Sequence, residues 1–120
     1  MALNQISAER IGNHWIEVWN TQSVDQYLEL YTSDVVLVSS KALRLFPDSK
    51  GRLSNKTVLK TYWELVRIKF PEFVFKVTRI SHFENKVLVF YSTMDDSTKA
   101  IAILTVEENE LISKVEVSYV

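Results

Sequence analysis

The chain has 120 residues, 47% of them apolar, and its 14 basic and 15 acidic side chains leave a formal net charge of -1. That length and apolar content fit one domain with a real core, and near-neutrality excludes an overall field that would steer nucleic acid or an anionic membrane toward it. Cysteine is absent, which excludes disulfides, thiolate metal sites and a cysteine nucleophile; a reducing compartment fits, so the cytoplasm is the expected location.

Residues 1–10 carry neither the basic start nor the apolar run of a signal peptide, and no stretch approaches about 18 uninterrupted apolar residues, so neither export nor a membrane span is expected. Ser7 is expected to cap a first helix running to about Asn20, because Ile11, Trp15, Val18 and Trp19 recur at helical spacing and make one apolar face. Ser23-Val24-Asp25-Gln26 has the form of a capping box and opens a short second helix with Val24, Tyr27, Leu28 and Tyr31 on one side. The β-branched run Val35 to Ser39 reads as a buried strand. From Ser40 to Ser54 the pattern breaks around Pro47, Asp48, Ser49 and Gly51, which reads as a long loop of the kind that borders sites.

A third helix, from about Asn55 to Lys69, turns Leu59, Tyr62, Trp63 and Val66 inward and stops before Pro71. Four strands follow, Phe73 to Phe83, Lys86 to Met94, Lys99 to Val106 and Leu111 to Tyr119, joined by short polar turns that imply antiparallel hairpins. Side chains alternate between the faces of a strand, so Val115, Val117 and Tyr119 share the inner face of the last one. In the strand before it both faces are apolar: Ala100, Ala102, Leu104 and Val106 on one, Ile101, Ile103 and Thr105 on the other. A sheet covered on both sides follows, and with helices enough for one side only, a homodimer through the outer sheet face is expected. The inward faces of 73–83 and 86–94 stay open, since both are mixed and bulges shift register.

The segment Trp15-Ile16-Glu17-Val18-Trp19-Asn20, followed by Tyr27-Leu28-Glu29-Leu30-Tyr31-Thr32-Ser33-Asp34-Val35-Val36-Leu37, resembles the start of the SnoaL-like polyketide cyclase group of the nuclear transport factor 2-like superfamily. Leu53-Ser54-Asn55-Lys56-Thr57 stands where that group usually has a glycine before its third helix, and Tyr62-Trp63 through Phe70-Pro71-Glu72-Phe73 fits its next pattern. The resemblance implies one SnoaL-like domain over 1–120 and an α+β, cone-shaped fold. In such a cone three N-terminal helices pack on a strongly curved, mainly antiparallel β-sheet around a pocket, and members commonly dimerise through the sheet. Enzymes of the superfamily include ketosteroid isomerases, scytalone dehydratase, limonene epoxide hydrolase and polyketide cyclases, beside binding and scaffold domains.

A ketosteroid isomerase needs a carboxylate base, and a tyrosine with a protonated aspartate to hold the enolate oxygen. The resemblance puts Trp15 at the tyrosine position, Ser39 at the base and Ala102 at the second acid, and none of the three supplies its function. The inward sets Val35, Leu37, Ser39; Ala100, Ala102, Leu104; and Val115, Val117, Tyr119 hold no carboxylate and no histidine, which leaves a cyclase without a base. Other candidates each have a plainer reading: His82 as a solvated strand-end histidine rather than an acid or base, His14 and Glu17 as an exposed helical pair rather than metal ligands, Asp95 and Asp96 as a turn rather than an acid pair. Lys41, Arg44 and Asp48 could hold a carboxylate or carbonyl at the pocket mouth, against a solvated loop.

The reading reached is a SnoaL-like domain without a recognisable catalytic set, binding a small apolar or aromatic metabolite between the helices and the concave sheet. Trp15, Trp19, Ser39, Tyr62, Ala102 and Tyr119 are the expected lining, the serine and tyrosine hydroxyls orienting the ligand. No metal and no cofactor are expected, since Gly12 and Gly51 are the only glycines and cannot build a phosphate loop. Two alternatives stand beside it: an isomerase, dehydratase or cyclase with acid and base residues the sequence does not reveal, and a non-catalytic dimerisation or protein-interaction module.

Overall fold

A computed structural model describes residues 2–120. Its first helix, α1 (Gln5–Thr21), begins one turn earlier than the sequence implies. Asn4 is the N-cap, its side chain accepting from the Ser7 backbone N–H at 2.8 Å, so Ser7 lies inside the helix. The expected apolar stripe is present, with Ile11, Trp15, Val18 and Trp19 all buried. Helix α2 (Val24–Glu29) is capped by Ser23, as the Ser-x-x-Gln pattern implies.

Strand β1 (Tyr31–Ser39) starts four residues before the apolar run, so Tyr31 belongs to the sheet and not to the face of α2. The hydrophobic pattern hides this, because β1 advances from Tyr31 to Val36 while its neighbour advances only from Ile112 to Lys114. The extra residues include exposed Ser33 and Asp34, which interrupt the alternation. The segment expected to be a loop is also structured. It holds α3 (Ser40–Leu45), a 3-10 turn (Pro47–Ser49) and β2 (Arg52–Ser54), which pairs antiparallel with β1. Six residues give α3 too little length for a period to show, and the sharp return to β2 uses Gly51 at φ 81, where an added Cβ would stand 3.2 Å from the Ser39 carbonyl oxygen.

Helix α4 (Lys56–Lys69), capped by Asn55, buries Leu59, Tyr62, Trp63 and Val66. Strands β3 (Phe75–Phe83), β4 (Lys86–Thr93), β5 (Lys99–Val106) and β6 (Ile112–Tyr119) form antiparallel hairpins, and β1 joins β6 in the one parallel pairing, giving the order β2-β1-β6-β5-β4-β3. Val87, Val89 and Tyr91 of β4 face inward, whereas the parity of β3 is reset by a bulge between Val77 and Arg79. Helix α1 lies across β3 and β4, while α2 and α4 pack on each other over β1. The apolar core fills the concave side between these layers. On the other face Leu88 pairs with Ile103 and Phe90 with Ile101, all half-buried, and the Arg79 guanidinium rests 5.4 Å from the Phe90 ring centroid. Among the described residues no helix is long and apolar enough to cross a membrane.

Candidate functional site

Between α1, α2, α4 and the concave sheet lies a cavity of about 40 Å³. All five tyrosines of the chain, Tyr27, Tyr31, Tyr62, Tyr91 and Tyr119, stand on its wall. They arrive from α2, β1, α4, β4 and β6, so five separate elements deliver one residue type to one place. Trp15, Trp19, Phe73 and Phe75 supply much of the remaining surface. The rings meet edge to face, Phe75 with Tyr91 at 4.8 Å and Tyr27 with Tyr31 at 5.1 Å between centroids, the geometry that aromatic quadrupoles favour.

Burial pushes every one of these phenols upward. Tyr27, Tyr62 and Tyr91 lie well above the ordinary tyrosine value, Tyr31 is raised as well, and Tyr119 is pushed up to about 12. Neighbouring phenols add to the shift: Tyr91 feels Tyr119, Tyr62 and Tyr27, and Tyr62 feels Tyr119 and Tyr27. Protonated phenols at neutral pH donate hydrogen bonds and accept no proton as a base. The wall carries no carboxylate and no imidazole. An acceptor oxygen entering this space meets O–H donors in apolar surroundings, where a hydrogen bond is strong and an unmade one is costly.

Of the residues expected to line a pocket, Trp15, Trp19, Tyr62 and Tyr119 are on the wall and Ser39 and Ala102 are not. Ala102 is fully buried between Val89 and Val117 on the flanking strands, and its methyl is overtopped by theirs. Ser39 is one step behind: its hydroxyl accepts from the Lys41 backbone N–H at 3.2 Å, capping α3, and also lies against the Tyr62 and Tyr119 hydroxyls. Tyr27, Tyr31 and Tyr91 lie outside that expected set: the sequence leaves the inward face of β4 open, and a register shift hides the start of β1.

Lys41, in the first turn of α3, lies over the rings of Phe70, Phe73 and Tyr119, its ammonium 4.3, 5.4 and 5.2 Å from the three centroids. Desolvation there, and then Arg44, hold its pKa below the ordinary lysine value. Phe73 and Tyr119 are wall residues, so this half-buried lysine lies behind part of the cavity wall. Asp48 is exposed in the 3-10 turn. His82 is half-buried opposite Val87 and off the wall; His14 and Glu17 are exposed on α1; Asp95 and Asp96 build the β4–β5 turn, Asp95 accepting from Thr93 and Ser97. Among the described residues no three His, Asp or Glu side chains gather as metal ligands.

The sequence matches no family model and no curated relative. Solved structures do match in shape. A SnoaL-like protein of unknown function from Burkholderia thailandensis superposes with a TM-score of 0.90 at 19% identity, covering 100% of this chain and 99% of that one. A candidate isomerase of the SnoaL-like family from Agrobacterium tumefaciens gives 0.77 at 13% identity over 97% and 99% of the two chains. A candidate polyketide cyclase from Sinorhizobium meliloti gives 0.74 at 13% identity over 97% and 100%. Identities this low carry the architecture and not the chemistry. The protein has the SnoaL-like, nuclear transport factor 2-like fold that its sequence resembles.

Proposed function

We propose that the protein binds a small apolar or aromatic metabolite bearing an acceptor oxygen, seated among the tyrosines, without chemistry of its own. One observation carries this reading: every tyrosine of the chain ends on one cavity. A core built only for packing has no use for phenol in place of phenyl, because each buried hydroxyl must be satisfied. Tyr31 accepts from Trp15 and lies against the Tyr27 hydroxyl, and Ser39 lies against the hydroxyls of Tyr62 and Tyr119, which leaves Tyr91 as the phenol open to a ligand oxygen or water. At about 40 Å³ the cavity holds water and not a metabolite, for which roughly 300 Å³ is usual. Binding therefore involves displacement of wall side chains. The cysteine-free composition supports the cytoplasm as its place of work.

Titration of the protein with 4-methylphenol and acetophenone, followed by tryptophan fluorescence, tests the reading because Trp15 and Trp19 are on the wall. A saturable response, weakened about tenfold or less by Tyr62→Phe as expected for one lost hydrogen bond, is the expected result. A linear, non-saturating response to both compounds would sink it.

A second reading is favoured by the same small volume together with the outer sheet face. Leu88, Phe90, Ile101 and Ile103 form a continuous half-exposed apolar strip there. On this reading the interior is simply core and the protein works as a homodimer or docking module. A catalytic role as isomerase, dehydratase or cyclase has less support, since no acid or base other than raised phenols reaches the cavity wall.

A further inference from the structure

Three polar atoms in the structure are buried without any hydrogen-bond partner among the described residues: Trp63 Nε1, Arg67 Nε and Arg67 Nη2. All three belong to side chains one turn apart on α4, which therefore share a helix face. They also share an aromatic cradle. The Arg67 guanidinium carbon lies 4.7 Å from the Trp19 ring centroid and 4.9 Å from that of Trp63, so the cation rests against both indoles. Among the described residues the charged or titratable group that acts on Arg67 is the Tyr27 phenol, and no carboxylate does. The side chain is half-buried, and its shielded Nε and Nη2 edge, given no anion, is one that an incoming acceptor would satisfy.

Arg67 and Trp63 are not on the wall of the tyrosine cavity but adjoin residues that are. Trp19 and Tyr27 are wall residues of that cavity and at the same time neighbours of Arg67, and Val66, the residue before it, is on the wall too. We propose that Arg67, with the indole N–H of Trp63, binds a carboxylate, the charged end of the ligand whose apolar body enters the cavity. This rests on the pocket reading and narrows its ligand to a small apolar or aromatic carboxylic acid. The Nε and Nη2 donors form one edge of the guanidinium and match the two oxygens of a carboxylate as parallel hydrogen bonds. Stacking on two indoles fixes the plane in which that pair forms, and exclusion of water from the edge strengthens it. Arg67 stands in the last turn of α4, at the negative end of the helix dipole, which favours a monoanion over a phosphate dianion.

The test uses benzoate, benzamide, benzyl alcohol and acetate on the whole chain, read by tryptophan fluorescence and by the NMR signals of Arg67 Nε–H and Trp63 Nε1–H. Benzoate is expected to bind at least about tenfold more tightly than benzamide and to shift both N–H signals, a preference typical of a charge-assisted pair. Arg67→Gln should abolish that preference, and Arg67→Lys should restore only part of it. Equal binding of benzoate and benzamide, or a preference that survives Arg67→Gln, overturns the proposal. An acetate response equal to that of benzoate overturns the link between the carboxylate site and the cavity, leaving a site for small free carboxylates. If benzyl alcohol binds and benzoate gains nothing, only the Arg67 proposal falls; if benzyl alcohol, benzamide and benzoate all fail to bind, the pocket reading falls with it.

Discussion

The indole N–H of Trp15 donates to the Tyr31 hydroxyl at 2.9 Å, joining α1 to the irregular start of β1 inside the core. Tyr31 is 1% exposed and Trp15 8%, so neither partner faces bulk water. Tyr31→Phe leaves the indole donor orphaned and is expected to cost about 1–3 kcal/mol in urea unfolding. Adding Trp15→Phe should cost less than the sum of the two single changes, once its lost ring volume is accounted for. A double-mutant cycle with no coupling would show that the bond contributes nothing.

Alkaline pH should unfold the protein through its tyrosines. The ordinary value for a phenol is 10.0, while Tyr27, Tyr62 and Tyr91 are raised well above it and Tyr119 to about 12. Below the unfolded value both states keep their protons and the full stability is present. Above about pH 10 the unfolded chain releases protons that the folded one retains, so stability falls as pH rises toward the folded values. Urea midpoints should drop between about pH 9 and about pH 11, and tyrosinate absorbance should appear together with unfolding. Ionisation of all five phenols near the ordinary value in the still-folded protein would contradict the buried cluster.

At Gly12 helix α1 comes close to the side chains of β3 and β4. A Cβ built there falls 2.9 Å from Ile80 Cδ1 and 3.1 Å from Val89 Cγ2, both on buried residues. Alanine gains about 1 kcal/mol of helix propensity over glycine, and overpacking a filled core costs about 1–3 kcal/mol. Gly12→Ala is therefore expected to be neutral to destabilising by about 2 kcal/mol, and Gly12→Val worse. Ile80→Val, which removes the nearest atom, should recover part of the Gly12→Ala loss in the same unfolding assay; a Gly12→Ala protein more stable than the parent would show that the layers part without cost.

On the outer sheet face, Ile101 and Ile103 lie beside Phe90 and Leu88. Sedimentation is expected to give a dimer of the 13.9 kDa chain. Ile103→Lys places a charge in the middle of the apolar strip and should shift it to monomer with little change in the single chain's fold, since this side chain is only half-buried. A parent protein that sediments as monomer at high concentration removes the dimer.

The legible parts of this sequence were those with enough regular length to display a period. Helix α4 put all four of its inward residues where the spacing placed them, and β5 kept its alternation, whereas a register shift against β5 buries both Ile112 and Val115 of β6. Interruptions defeated the reading. Ser33 and Asp34 masked the start of β1 and with it Tyr31; the bulge after Val77 masked the parity of β3; six-residue α3 looked like loop. At the site, Trp15, Trp19, Tyr62 and Tyr119 were found because large aromatics on inward faces meet wherever the layers leave space. Ser39 and Ala102 were displaced because a short side chain on an inward face lies beneath its longer neighbours. Arg67 was passed over since an arginine at the end of a helix reads as solvated, and its two flanking indoles come from different elements.

The Ser39 hydroxyl ends β1, starts α3 and lies against two of the cavity's phenols. The cavity wall and the β1–α3 corner are thereby coupled through one atom. A substitution at Tyr62 or Tyr119 that moves this hydroxyl also disturbs the seating of α3, and with it the angle at which Lys41 lies over the rings. Variants altered at either phenol should therefore be found altered at the corner too.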